Sequence, residues 1–137
     1  MTHIDPAVVF SFDHVSVSVT DLDRSVDFYV NTLGVDQIPR PDFGFPGAWL
    51  SIAGQQLHLT TGGTTRGPEA PLRANDPHFA IRFTGDLDEF LARLSEKGVR
   101  VYELPNSPAA ERQTFVLDPD GNVIEFIVYS QSNEESS

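Results

Sequence analysis

Of the four histidines in this 137-residue chain, three lie in runs where polar and apolar residues alternate. His14 opens a run in which Val15, Val17 and Val19 form the apolar stripe, and His58 is flanked by Leu57 and Leu59. His78 precedes Phe79, Ile81 and Phe83, and Glu125 lies between Ile124 and Phe126, with Val128 beyond. Side chains alternate with period 2 along a strand, so each of these four residues projects opposite the apolar stripe of its own strand. Three imidazoles and one carboxylate suit a single borderline divalent ion such as Zn, Ni, Co, Fe(II) or Mn, with positions left for water or substrate. A lone strand histidine is more often a surface or hydrogen-bonded residue than a ligand, so the inference rests on the set. His3 has no such context and falls in the N-terminal arm.

The elements that must carry these residues follow from the same patterning. Thr20-Asp21 can cap a helix whose apolar stripe is Leu22, Val26, Tyr29 and Leu33, with Gly34 suited to end it. Short strands are expected near 35–39, 48–52 and 55–60, the last two joined at Ala53-Gly54. The second half repeats this grammar. Asp86 precedes a helix with Leu87, Phe90, Leu91 and Leu94, ended by Gly98, and strands are expected near 99–104, 112–117 and 123–129. Asp118-Pro119-Asp120-Gly121 reads as a turn, because Pro and Gly there serve backbone geometry.

The two halves keep register. His14 to His78, Thr20 to Thr84 and Gly34 to Gly98 are each 64 residues apart, while Gly54 to Gly121 and His58 to Glu125 are 67 apart. An offset that survives strand, helix start and helix stop, then grows by three in a loop, predicts two βαβββ modules of one design. The fold class is therefore α+β, a cupped mixed sheet with helices on its outer face. The expected organisation is an arm at 1–10 and a single domain at 11–130, with a polar tail at 131–137. Within the domain, module one spans 11–61, a linker with three Gly and three Pro spans 62–77, and module two spans 78–130. The repeat maps His14 onto His78 and His58 onto Glu125, so a pseudo-two-fold axis between the modules would make the two pairs converge.

Composition narrows the partners. Nine Lys plus Arg against 20 Asp plus Glu leave a net charge of −11, the wrong sign for neutralising phosphates, which argues against nucleic acid. No apolar run approaches the roughly 18–20 residues of a membrane span, and no signal peptide opens the chain, so a cytoplasmic location is expected. Cysteine is absent, which excludes disulfides, thiolate ligands and a Cys nucleophile.

These segments resemble the vicinal oxygen chelate superfamily, the glyoxalase/bleomycin resistance protein/extradiol dioxygenase group. The resemblance is carried by His14 to Val19, Asp23 to Tyr29, Leu33 to Val35, Leu57 to Leu59, His78 to Ile81 and Asp118 to Phe126, spread over residues 12 to 129. It implies paired βαβββ modules around one divalent metal held by His14, His58, His78 and Glu125, with two oxygens of a small-molecule substrate placed on that metal. It also implies a homodimer, in which modules can be exchanged between chains.

Three activities follow from the resemblance. The first is a metal-dependent, glyoxalase-type lyase or isomerase, with Glu125 as the obvious base; where glyoxalases usually carry a second glutamate, this chain has His58. The second is extradiol ring cleavage by Fe(II) on His14, His78 and Glu125, which frees His58 for acid–base work. The third is a non-catalytic drug- or metabolite-binding protein of the bleomycin-resistance kind. Substrate contacts are expected from Phe43 and Trp49, as an apolar wall or as packing between modules, and from Arg82 on the His78 face. Arg112 is a further candidate, although alternation sends only one of Arg112 and Gln113 toward the cup.

Overall fold

A computed structural model describes residues 7–130; most of the predicted arm, including His3, and the tail 131–137 lie outside the described residues. The elements are β1 (His14–Ser18), α1 (Leu22–Asp27), β2 (Asp36–Ile38), β3 (Gly47–Ile52), β4 (Gln55–Thr60), β5 (His78–Arg82), α2 (Leu87–Glu96), β6 (Val101–Glu103), β7 (Arg112–Leu117) and β8 (Val123–Val128). After Asp27 the first helix continues in a wider π winding, Phe28–Leu33, so the expected stretch from Leu22 to Leu33 is helical but not uniformly α. Asp21 caps α1 through Arg24 N at 3.2 Å, and Asp86 caps α2 through Glu89 N at 3.0 Å. The Ala53-Gly54 turn has positive φ at both residues, 50° and 85°, the backbone that a tight two-residue hairpin demands.

The strands form two four-stranded sheets, ordered β1-β4-β3-β2 and β5-β8-β7-β6. In each, the first strand runs parallel to the last of its module, and the remaining pairs are antiparallel. Two mixed sheets with one helical segment apiece make an α+β fold of duplicated βαβββ modules. The duplication extends to register: His14 stands opposite Gln56 and His78 opposite Val123, three residues further along, as the lengthened offset requires. Among the described residues no helix is long and apolar enough to cross a membrane.

One core serves both modules. Val19, Ala48, Leu50, Leu57 and Leu59 of the first half join Leu87, Leu91, Leu94, Val116, Ile124 and Phe126 of the second in a single buried cluster. Each Val, Leu, Ile or Phe among them contributes roughly 1.5–3 kcal/mol when fully buried. The faces carrying His14, His58, His78 and Glu125 are the reverse faces of the two sheets.

A polar clasp also ties the halves together. Asp120, 1% exposed, accepts bonds from Thr20 N (3.1 Å), Thr20 Oγ1 (2.6 Å) and Ser25 Oγ (3.4 Å), and Arg24 approaches it at 3.5 Å. Asp118 accepts from Tyr29 OH and Asn122 Nδ2, both at 2.8 Å, and Asn122 Nδ2 reaches Ser18 O at 3.0 Å. Burial pushes the Asp118 carboxyl up from its ordinary range while these donors pull it back. Gly121 closes the turn at φ 86°, and any Cβ there would run into the Gly67 carbonyl of the linker. The Asp-Pro-Asp-Gly segment is thus a turn, as expected, and also an intermodule anchor.

Candidate metal centre

In the first sheet, β4 lies between β1 and β3, so His58 has ring neighbours on both sides. His14 stacks on it with centroids 4.0 Å apart, and Trp49 stacks at 4.3 Å with the planes 3° from parallel. Gln56 Oε1 accepts from His58 Nε2–H at 2.9 Å, which leaves Nδ1 as the basic nitrogen. His58 is 8% exposed, and burial, followed by the neighbouring His14, lowers its pKa below the usual imidazole value. His14 is more open, and its Nδ1 bonds to the exposed Asp13 carboxylate at 2.7 Å.

In the second sheet, His78 Nδ1 donates to the Asp76 carbonyl at 2.7 Å. That makes Nδ1 a donor and leaves Nε2 facing Glu125 Oε1 at 2.9 Å. A single cation, a proton on Nε2 or a metal ion between the two groups, satisfies both at this separation. Glu125 is 3% exposed, and its second oxygen accepts from Gln113 Nε2 at 2.9 Å; Gln113 in turn accepts from the Ser107 hydroxyl. A carboxylate oriented on one oxygen and an imidazole oriented through its far nitrogen are what a metal site asks of its outer partners. The donor set fits a divalent transition ion.

The structure gathers the four residues as two pairs, His14 with His58 and His78 with Glu125. Among the described residues of one chain, no three His, Asp or Glu side chains form a cluster able to hold a metal.

The expected substrate contacts are placed as follows. Trp49 is on the His58 face, while Phe43 and Phe45 are half exposed in the preceding loop, with Phe43 6.2 Å from Trp49. Arg82 shares the His78 face and lies over the Tyr129 ring at 4.7 Å. Arg112 is a correction. Alternation turns it to the helix side, where Asp88 of α2 at 2.8 Å and Glu103 at 2.6 Å enclose it. Gln113 takes the place facing Glu125. Sequence reasoning passed over Gln56 as well, although a glutamine two residues before a strand histidine shares its face.

Against known families, residues 11–126 match the model of the Glyoxalase/Bleomycin resistance protein/Dioxygenase superfamily. The chain belongs to that superfamily. Among its relatives, Glyoxylase I 4 of Arabidopsis thaliana is 30% identical over 126 residues, covering 88% of this chain and 72% of the relative. A glyoxalase family protein from Bacillus anthracis superposes with a TM-score of 0.73 at 26% identity, over 90% of this chain and 98% of that one. The fosfomycin resistance protein FosX of Listeria monocytogenes, complexed with Mn(II) and a dihydroxypropylphosphonic acid, shares the superfamily fold. Its TM-score is 0.74 at 20% identity, over 95% of this chain and all of the other.

Proposed function

We propose that the protein is a metal-dependent lyase or isomerase of the glyoxalase type, acting on a small substrate with two neighbouring oxygens. His14, His78 and Glu125 would hold one divalent ion, with His58 beside them as an acid–base residue. The observation that carries this reading is the His78–Glu125 pair, 2.9 Å apart and each oriented from behind by a further hydrogen bond. Bound there, the ion would supply Lewis acidity toward the substrate oxygens and make the intervening C–H more acidic.

The chain's own residues then manage the proton. His58 is neutral near pH 7, because its pKa is lowered, and it offers Nδ1 to a carbon-bound proton while Gln56 holds Nε2–H. Trp49 and His14 fix its ring plane. Glu125 keeps Oε1 directed inward because Gln113 holds Oε2, which makes it the second proton carrier. Leu72 and Ala74 of the linker pack on the cluster of Phe115, Leu117 and Val123, beside the buried Glu125.

We place the complete centre between two copies of the chain, module one of each meeting module two of the other. Two features support this. Among the described residues β1 and β5 are both unpaired sheet edges, and Val9, Phe10, Phe12 and Val15 leave apolar surface exposed leading into and along β1.

Metal analysis of protein purified without a histidine tag tests the assignment. Stoichiometric transition metal is expected, lost in His78→Ala and Glu125→Ala and retained in His58→Ala. A wild-type protein that takes up no such metal overturns it. Iron together with oxygen uptake on catechols would favour ring cleavage, since His14, His78 and Glu125 also make the two-His, one-carboxylate donor set of Fe(II) oxygenases.

A further inference from the structure

The loop between β2 and β3 delivers a cation to the same face as His58. Gly47 and Trp49 are alternate residues of β3, opposite Thr60 and His58 of β4, so all four share one side of the sheet. Gly47 has no side chain, and the space its Cβ would fill is taken by the Arg40 guanidinium, with Nε and Nη2 at 2.8 Å from that position. Two residues along a strand is about 7 Å, which sets the guanidinium one strand repeat from the Trp49–His58 stack.

This guanidinium is held but not neutralised. Its Nη1 donates to Phe45 O at 3.2 Å, and its carbon lies 4.8 Å above the Phe43 ring and 5.2 Å above Phe45. Among the described residues no carboxylate reaches it. Asp42, the acidic neighbour in the loop, accepts from Gly44 N at 2.9 Å instead. In a chain with 20 acidic residues, a half-buried arginine without an acidic partner keeps several N–H donors for something else. Phe43 then continues to Trp49, tilted 45° to it, and Trp49 to His58, so a row of aromatic rings joins the cation to the candidate centre.

We infer that Arg40 binds an anionic group of the substrate, and that the substrate is a small organic acid whose apolar body lies against Phe43 and Trp49. The carboxylate, phosphate or phosphonate sits about 7 Å, one strand repeat, from the Trp49–His58 stack. The inference deepens the function proposed above and rests on it for the word substrate. The anion site itself needs neither metal nor partner, because Arg40, Phe43, Gly47 and Trp49 belong to one module.

The test uses that independence. Trp49 is the only tryptophan, so its fluorescence in metal-free protein reports this surface directly. Phenylacetate is titrated against phenylacetamide, which has the same ring and no charge. Saturable quenching is expected with the acid in the wild type, with affinity at least tenfold weaker for the amide. Arg40→Gln should lose about tenfold for the acid and nothing for the amide. Gly47→Ala should lose a similar factor while keeping the arginine, since the added methyl displaces only the end of a flexible side chain. Unchanged urea midpoints show that both variants fold. Equal binding of acid and amide, wild-type affinity in Arg40→Gln, or no saturation in the wild type overturns the inference. A protein that fails to bind metal but passes this titration would sink the proposed reaction and leave the anion site standing.

Discussion

Mixing two inactive variants separates a centre built by one chain from a centre shared by two. If each centre takes His14 from one copy and His78 with Glu125 from the other, then His14→Ala and Glu125→Ala each destroy both centres of their own homodimer. Co-refolding the two at equal concentration yields about half heterodimers. Each heterodimer pairs the intact first module of one chain with the intact second module of its partner, giving one complete centre and one doubly defective one. The mixture should therefore recover about one quarter of the wild-type metal content. Atomic absorption on desalted protein reads this without knowledge of the substrate. The structure supplies a matched control. His78 and Glu125 lie in one module, 2.9 Å apart, so His78→Ala mixed with Glu125→Ala should recover nothing. Recovery in the control, or none in the cross-module mixture, refutes the shared centre.

Two further outcomes follow from the polar contacts. Asp120→Ala removes both bonds to Thr20; charge-assisted bonds contribute about 1.5–3 kcal/mol each, and Thr20 is open to solvent, so a loss of about 2–4 kcal/mol is expected in urea unfolding. An unchanged midpoint would show that the clasp carries no stability. Glu103 is held below its ordinary pKa of 4.5, first by its hydrogen bonds from Arg112. A depressed carboxylate stabilises the fold above that value and ceases to as pH falls through the lowered one. Glu103→Gln should thus destabilise the protein at pH 7 and reduce the further loss as the pH falls below the ordinary carboxylate value, measured by thermal unfolding over an acid pH series.

Much of this fold could be read from spacing because both modules obey period 2 in their strands and the glycines mark the ends of the first helix and the tight turns. The repeat told more than propensity could: it mapped His14 onto His78 as equivalent strand positions, and the three-residue insertion reappears in strand register. The choice between Arg112 and Gln113 was undetermined, since alternation says that neighbours point apart but not which way. Asp88, carried by a helix far along the chain, decides it. The Asp118 and Asp120 carboxylates were hidden by a competing explanation, because turns favour aspartate for local reasons and so conceal its distant partners. The Trp49–His58–His14 stack depends on rotamers and strand order, and neither has a signature in one sequence.

The bond from Thr20 to Asp120 joins residues 100 apart in the chain. At ribosomal speeds of about 5–20 residues per second, the newborn first half waits on the order of 5–20 s for its counterpart. From their own synthesis to the end of that interval, Leu50, Leu57 and Leu59 lack the neighbours that later enclose them. Nascent chains crowded on one messenger are therefore most prone to sticking together before the final strand emerges, and slower translation of the second half would be expected to lengthen the hazard.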